Sequence, residues 1–186
     1  DWKWCFGVNV FGTAHGVISF VPRMIESGQP GHVVNTASTA GVTTGPRLAI
    51  YGVSKHAVVR ISEAMFFQLR ELDAQVGVSV LCPGGVRTRI AASGRNRPNE
   101  LSQGVERPDA EEVETRTQQW AEVIRETGQD PTEIASKVWQ AIEEERFYIF
   151  THEAQDESIR MRAESMLERR DPEAPESSTR PFPMRI

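Results

Sequence analysis

The chain has 186 residues, 39% of them hydrophobic and 25% charged, with 21 Lys+Arg against 26 Asp+Glu and a formal net charge of −5. That length suits one domain with a sizeable core, and the composition excludes wholesale disorder and fibrous classes. The acidic balance leaves no electrostatic footprint for nucleic acid or an anionic membrane, and the two cysteines, Cys5 and Cys82, point to a reducing, cytoplasmic setting rather than a disulfide framework.

Residues 1–26 read as a helix, because Val8, Phe11, Val17, Ile18, Val21 and Met24 recur at helical spacing until Gly28, Pro30 and Gly31 end it. Asn9 and His15 interrupt its apolar run and no basic leader or cleavage site flanks it, so it is read as neither a membrane span nor a signal peptide. Residues 32–38 (HVVNTAS) form a first strand, 41–47 a loop and 49–72 a long helix. Residues 76–82 (VGVSVLC) form a second strand, stopped by Pro83-Gly84-Gly85. The polar stretch 91–109 is longer than an ordinary connection, the kind of segment that serves as a lid or binding loop.

Residues 110–126 read as a helix, and Asp130-Pro131-Thr132-Glu133 opens another that runs to 145, with Asp130 as cap and Pro131 in the first turn. Residues 147–150 form a third strand and 153–170 a polar helix; a tail with prolines at 172, 175, 181 and 183 is expected to be mobile. The domain expectation is therefore a catalytic α/β part over 1–150, followed by a helical extension and tail over 151–186. Strands alternating with helices predict an α/β fold with a parallel sheet covered on both faces. Three strands alone would leave a long apolar edge unpaired, so further strands are expected on the amino-terminal side.

Tyr51 and Lys55 stand one helical turn apart on one face, where an ammonium favours the phenolate and makes the phenol a usable proton donor and acceptor. Alone, Tyr-x-x-x-Lys is a weak pattern. Ser38 ends the first strand thirteen positions earlier, and the carboxyl ends of strands are where open α/β sheets bind ligands. Both hydroxyls can then hold one substrate oxygen, although a lone serine more commonly satisfies loop backbone. Cys82-Pro83-Gly84-Gly85-Val86-Arg87-Thr88 allows close approach of backbone to a ligand, with Val86 offering backbone groups and Thr88 a hydroxyl. Asn9 is a poor mid-helix residue.

Together, Asn9, Ser38 within Asn35-Thr-Ala-Ser38-Thr-Ala-Gly41, Tyr51-x-x-x-Lys55 and Pro83-Gly84-x-Val86-x-Thr88 resemble the carboxyl-terminal part of a short-chain dehydrogenase/reductase (SDR), closely over residues 1–90 and loosely to 150. The resemblance implies a partial Rossmann-type doubly wound parallel sheet and an NAD or NADP cofactor. It implies hydride transfer between that cofactor and an alcohol/carbonyl substrate, by a homodimer or homotetramer when full length. It makes Tyr51 the general acid/base and Lys55 its partner and a donor to the nicotinamide ribose. It makes Ser38 the substrate-oxygen donor and Asn9 the holder of a relay water. Pro83, Gly84, Val86 and Thr88 would flank the nicotinamide and its phosphate.

No Gly-x-x-x-Gly-x-Gly or Gly-x-Gly-x-x-Gly turn occurs in these 186 residues, nor a residue to read the ribose 2′ position. The expectation is a catalytic half without its pyrophosphate-binding half, binding cofactor poorly and turning over little by itself. The alternatives are a non-catalytic scaffold acting through dimerisation, a hydrolase using Ser38, and an epimerase or dehydratase sharing the Tyr-x-x-x-Lys pair. The hydrolase reading meets Thr36-Ala37-Ser38-Thr39-Ala40 where a nucleophile elbow wants Gly-x-Ser-x-Gly. His15, His32, His56 and His152 lack metal spacing, so no metal is expected. Trp120 and Trp139 read as core or interface anchors. Arg95 and Arg97 read as solvated loop charge, or less favourably as contacts to an acidic substrate.

Overall fold

The computed structural model describes residues 1–45, 49–101 and 109–173. The helical stretch Trp2–Ser27 comprises α1 (Trp2–Phe6), a π-helical turn (Gly7–Phe11) and α2 (Gly12–Ser27). There follow β1 (Gly31–Thr36), a 3-10 turn (Thr39–Gly41), α3 (Ala49–Glu71) and β2 (Val76–Cys82). Two further 3-10 segments (Ile90–Asn96, Asn99–Leu101) precede α4 (Ala110–Thr127), α5 (Pro131–Glu143), β3 (Tyr148–Phe150) and α6 (Ala154–Leu167). The Pro-rich tail beyond 173, and parts of the 41–47 and 91–109 loops, lie outside the described residues.

The sheet is parallel in the order β1-β2-β3, with Gly31 opposite Val76 and Val80 opposite Tyr148. Its two faces follow from the period of two in β2. Val76, Val78, Val80 and Cys82 face α3, where they meet Met65, Leu69, Val58 and Val59. Leu81 faces the other way, onto Ile134 and Ala141 of α5 together with Ile149 of β3. Asp130 caps α5 as its sequence indicates: its side chain accepts from the Thr132 N–H at 2.8 Å, and Pro131 occupies the first turn, where no N–H is needed.

Three elements bear on the expectations. β1 is half-exposed rather than buried on two faces: β2 covers one of its edges, and no strand pairs with the other among the described residues. Trp2–Ser27 meets the length and composition of a membrane-crossing helix, a test that helices of soluble proteins also pass. It nevertheless packs on α3 through polar contacts given below, and sends Val21 into the core beside Met65 and Leu69. Trp120 and Trp139 are 45% and 65% exposed, which overturns only the core half of the reading as core or interface anchors.

Candidate active site

Each candidate side chain stands at the carboxyl end of a strand or on the helix that crosses beside it. β1 ends at Thr36, and Ala37 still bonds to β2 through its N–H to Leu81 O. At Ser38 the backbone is extended and the hydroxyl accepts from the Ala40 N–H at 3.2 Å, starting the 3-10 turn. The turn is pinned across the sheet, because the N–H and the hydroxyl of Thr39 both donate to Pro83 O, at 2.9 and 3.0 Å. Gly41 closes the approach to α3: a Cβ there would lie 2.8 Å from the Lys55 backbone C and O. A residue without a side chain thus lets the Ser38 turn sit directly on the helix that bears Tyr51 and Lys55.

The Ser38 hydroxyl acts on the Tyr51 phenol in the direction that pulls the tyrosine's pKa down. Burial acts more strongly in the other direction, so the net position of Tyr51 is above its ordinary value. This corrects the expectation of a phenol acidified by its lysine. The Lys55 ammonium lies 5.7 Å from the centre of the Tyr51 ring and donates to Thr36 O at 2.9 Å. Its own pKa is lowered by burial, with the neighbouring thiols Cys5 and Cys82 working against that shift. Desolvation therefore sets the direction of both shifts.

Asn9 sits in the π-turn, where the Gly12 N–H reaches back five residues to Gly7 O. Such turns are frequent at functional sites. The Asn9 amide donates to Ser54 Oγ at 2.9 Å and lies 3.5 Å from Cys5 Sγ, while Thr13 Oγ1 donates to its carbonyl. Ser54 is fully buried and donates in turn to Tyr51 O at 2.7 Å. The side chain of Asn9 is thus used to fasten the first helix to the segment bearing Tyr51 and Lys55.

After β2, Gly85 O accepts from the Gln129 N–H and the Arg87 N–H donates to Gln129 O, both at 2.9 Å. Val86 is thereby bridged to Gln129 as in a parallel strand, which turns its own N–H and C=O to the opposite side. Thr88 is exposed, and its hydroxyl accepts weakly from the Ile90 N–H at 3.4 Å. Lys55, Tyr51, Ser38, the backbone of Val86 and the hydroxyl of Thr88 supply the polar donors and acceptors that a nicotinamide and its ribose require at strand ends, so these residues fit such a group.

Two other sequence readings resolve differently. Arg97 stacks over the Trp4 ring at 5.4 Å, pairs with Asp1 and donates to Leu101 O at 2.8 Å. Arg95 donates to Ala92 O and Arg89 O. Arg97 is largely covered and so departs from the reading of solvated charge, whereas Arg95 is exposed as that reading expects and also bonds its own loop. Among the described residues no histidine hydrogen-bonds Ser38: His56 bonds Gly41 O at 2.8 Å, and His152 bonds Thr151 Oγ1 at 2.7 Å. Spacing did not reveal Thr39, Ser54, Gln129 or Gln155, which meet the site through contacts to backbone or to buried hydroxyls.

A parallel sheet with helices on both faces and a Ser-Tyr-Lys cluster at its strand ends places the chain among Rossmann-type α/β proteins. The family model described as short chain dehydrogenase matches residues 1–99, and the chain belongs to that family. Among curated proteins it is 30% identical over 152 residues to a CLA biosynthesis dehydrogenase/reductase of Lactiplantibacillus plantarum, covering 82% of this chain and 53% of the relative. It is 33% identical to a 1-deoxy-11-beta-hydroxypentalenate dehydrogenase of Streptomyces avermitilis, covering 79% of this chain and 45% of that protein. A crystal structure of an SDR from Burkholderia phymatum in complex with NAD superposes with a TM-score of 0.86 at 40% identity, over 94% of this chain and 62% of the other. The chain spans about half the length of the curated relatives it matches.

Proposed function

We propose that the chain supplies the acid/base side of an NAD(P)-dependent oxidoreductase acting on an alcohol/carbonyl pair. The observation that carries the reading is the seating of the Ser38 turn on α3 through Gly41, with Lys55 5.7 Å from the Tyr51 ring and bonded to Thr36 O at the carboxyl end of β1. Two hydroxyls from different elements then hold one substrate oxygen, and Tyr51 gives or takes its proton. Lys55 holds positive charge beside the phenol and is placed to bond ribose hydroxyls. Asn9 and Ser54 keep the tyrosine's turn in place, and Pro83, Gly84, Val86 and Thr88 flank the nicotinamide. The bound nicotinamide supplies or accepts the hydride. The Burkholderia phymatum relative is solved in complex with NAD, which supports a nicotinamide dinucleotide here.

With no Gly-rich turn in these 186 residues, they hold the nicotinamide end alone and bind the whole dinucleotide weakly. The setting is cytoplasmic and the working form a homo-oligomer, as the apolar surface left on Trp2–Ser27 suggests.

Two measurements on the full chain test the reading. Nicotinamide ring signals of nicotinamide mononucleotide, followed by ligand-observed NMR, broaden with the wild type and sharpen with Lys55→Met. Any reduction of NAD+ by alcohols, followed by absorbance, is lost in Tyr51→Phe. No broadening with the wild type, broadening that survives Lys55→Met, or turnover that survives Tyr51→Phe overturns the proposal.

A further inference from the structure

Gln155 lies on α6, outside the stretch the family model matches and more than a hundred residues from Ser38 in sequence. It is 4% exposed, and all four hydrogen-bonding positions of its amide are occupied. Its oxygen accepts from the Thr151 and His152 N–H groups, each at 3.0 Å. Its nitrogen donates to Cys82 O at 2.8 Å and to the Thr39 hydroxyl. Thr39 passes its own hydroxyl hydrogen to Pro83 O, so one buried amide ties together the turn after Ser38, the end of β2 at Cys82 with the Pro83 that follows it, and the chain after β3. Gly84 is drawn into the same knot: its N–H donates to Thr151 Oγ1 at 3.2 Å, and the His152 ring occupies the space a Cβ would take. Two further contacts run from the same carboxyl-terminal stretch to the segment after Ser38, from Arg162 to Val42 O and from Thr44 to Glu173 O.

We infer that Gln155 is a positioning residue, which sets the Ser38 turn and the Pro83-Gly84 turn at fixed separation and so fixes the substrate oxygen relative to the nicotinamide. The inference rests on the reading of the site given above. Residues 151–173 are on this view part of the site's frame rather than an appendage. Glutamine suits the position because it presents two donors to one pair of acceptors and one acceptor to two donors. A buried apolar replacement leaves Cys82 O and the Thr151 and His152 N–H groups without their partners. Gln155→Glu removes only the donor side.

Amide hydrogen exchange on the full chain tests this, with Gln155→Leu, Gln155→Glu and, as a general destabilisation control in the α5 core, Ile134→Ala. In Gln155→Leu, exchange at Thr39, Gly41, Val42, Gly84, Thr151 and His152 rises about tenfold or more, while Val78 and Val80 in β2 hold their protection. In Gln155→Glu, Thr39 to Val42 loosen but Thr151 and His152 stay protected. Gln155→Leu also weakens nicotinamide mononucleotide binding severalfold, and Ile134→Ala does not. Unchanged exchange, or a uniform rise matching that of Ile134→Ala, overturns the inference. A wild type that binds no mononucleotide overturns the reading of the site, and the exchange pattern still decides whether Gln155 holds the two turns together.

Discussion

Tyr51 is pushed up by burial and pulled down by Ser38, and the two effects make separable predictions. Removing the phenolic oxygen with Tyr51→Phe should lower any turnover by roughly 10²–10⁴-fold, the usual worth of a positioned acid/base group. Ser38→Ala removes the interaction that favours the phenolate, so the pH above which alcohol oxidation levels off should move upward, read from rate-against-pH profiles. Cys82 gives a stability test. Burial raises its thiol from 9.0 to about 11, so the folded state holds that proton more tightly than the unfolded chain. The resulting stabilisation, on the order of 2–3 kcal/mol, is present below pH 9 and lost as the pH climbs through about 11. Urea midpoints should therefore fall less steeply over that window in Cys82→Ala than in wild type. Ser38, Tyr51 and Lys55 could be read from spacing because helix and strand-end geometry is local. The net direction of the Tyr51 shift could not, because it depends on how many atoms from distant parts of the chain exclude water from the phenol.

Turns and helices carry the next level of the argument. Gly41→Ala forces a methyl within 2.8 Å of the Lys55 backbone, which no side-chain rotation relieves. It should cost about 1–3 kcal/mol in urea unfolding and displace Ser38 from Tyr51. Gly16 in α2 has open space where its Cβ would be. Gly16→Ala should stabilise by about 0.5–1 kcal/mol through helix propensity. Secondary structure followed the apolar period closely where that period was strong: β2 spans the predicted 76–82, and α3 ends one residue earlier than expected. The π-turn at Gly7–Phe11 escaped notice because it inserts its irregularity without disturbing the pattern of apolar residues. The 3-10 turns at Ile90–Asn96 and Asn99–Leu101 escaped it because polar, Gly- and Pro-containing sequence marks a loop without saying how the loop folds.

At the level of the entire chain, the unevenness of burial is the informative property. Val8, Phe11, Ile18 and Phe20 on the first helix are 56–70% exposed, while α3 and β2 are closely packed. Apolar surface of this kind favours association, and among the described residues β1 adds an edge that no strand pairs. Light scattering should show mass rising with protein concentration, and the paired substitutions Ile18→Lys and Phe20→Lys should reduce it. Sequence reading took the count of three strands as a reason to expect more on the amino-terminal side, but could not show that α6 and its preceding turn reach back to hold the residues after Ser38.

The register of the sheet bears on how the chain acquires its shape. Gly31 meets Val76 across 45 intervening steps of chain, and Val80 meets Tyr148 across 68. Among the described residues no strand has a neighbour nearby in sequence, so each of these pairings must close a large loop before any ladder bond rewards it. Helices such as α3 can form in microseconds, whereas the sheet must wait for these distant encounters. During that interval the β-branched strands stand open to one another's copies, and the yield of refolded protein should fall as its concentration in the refolding mixture is raised.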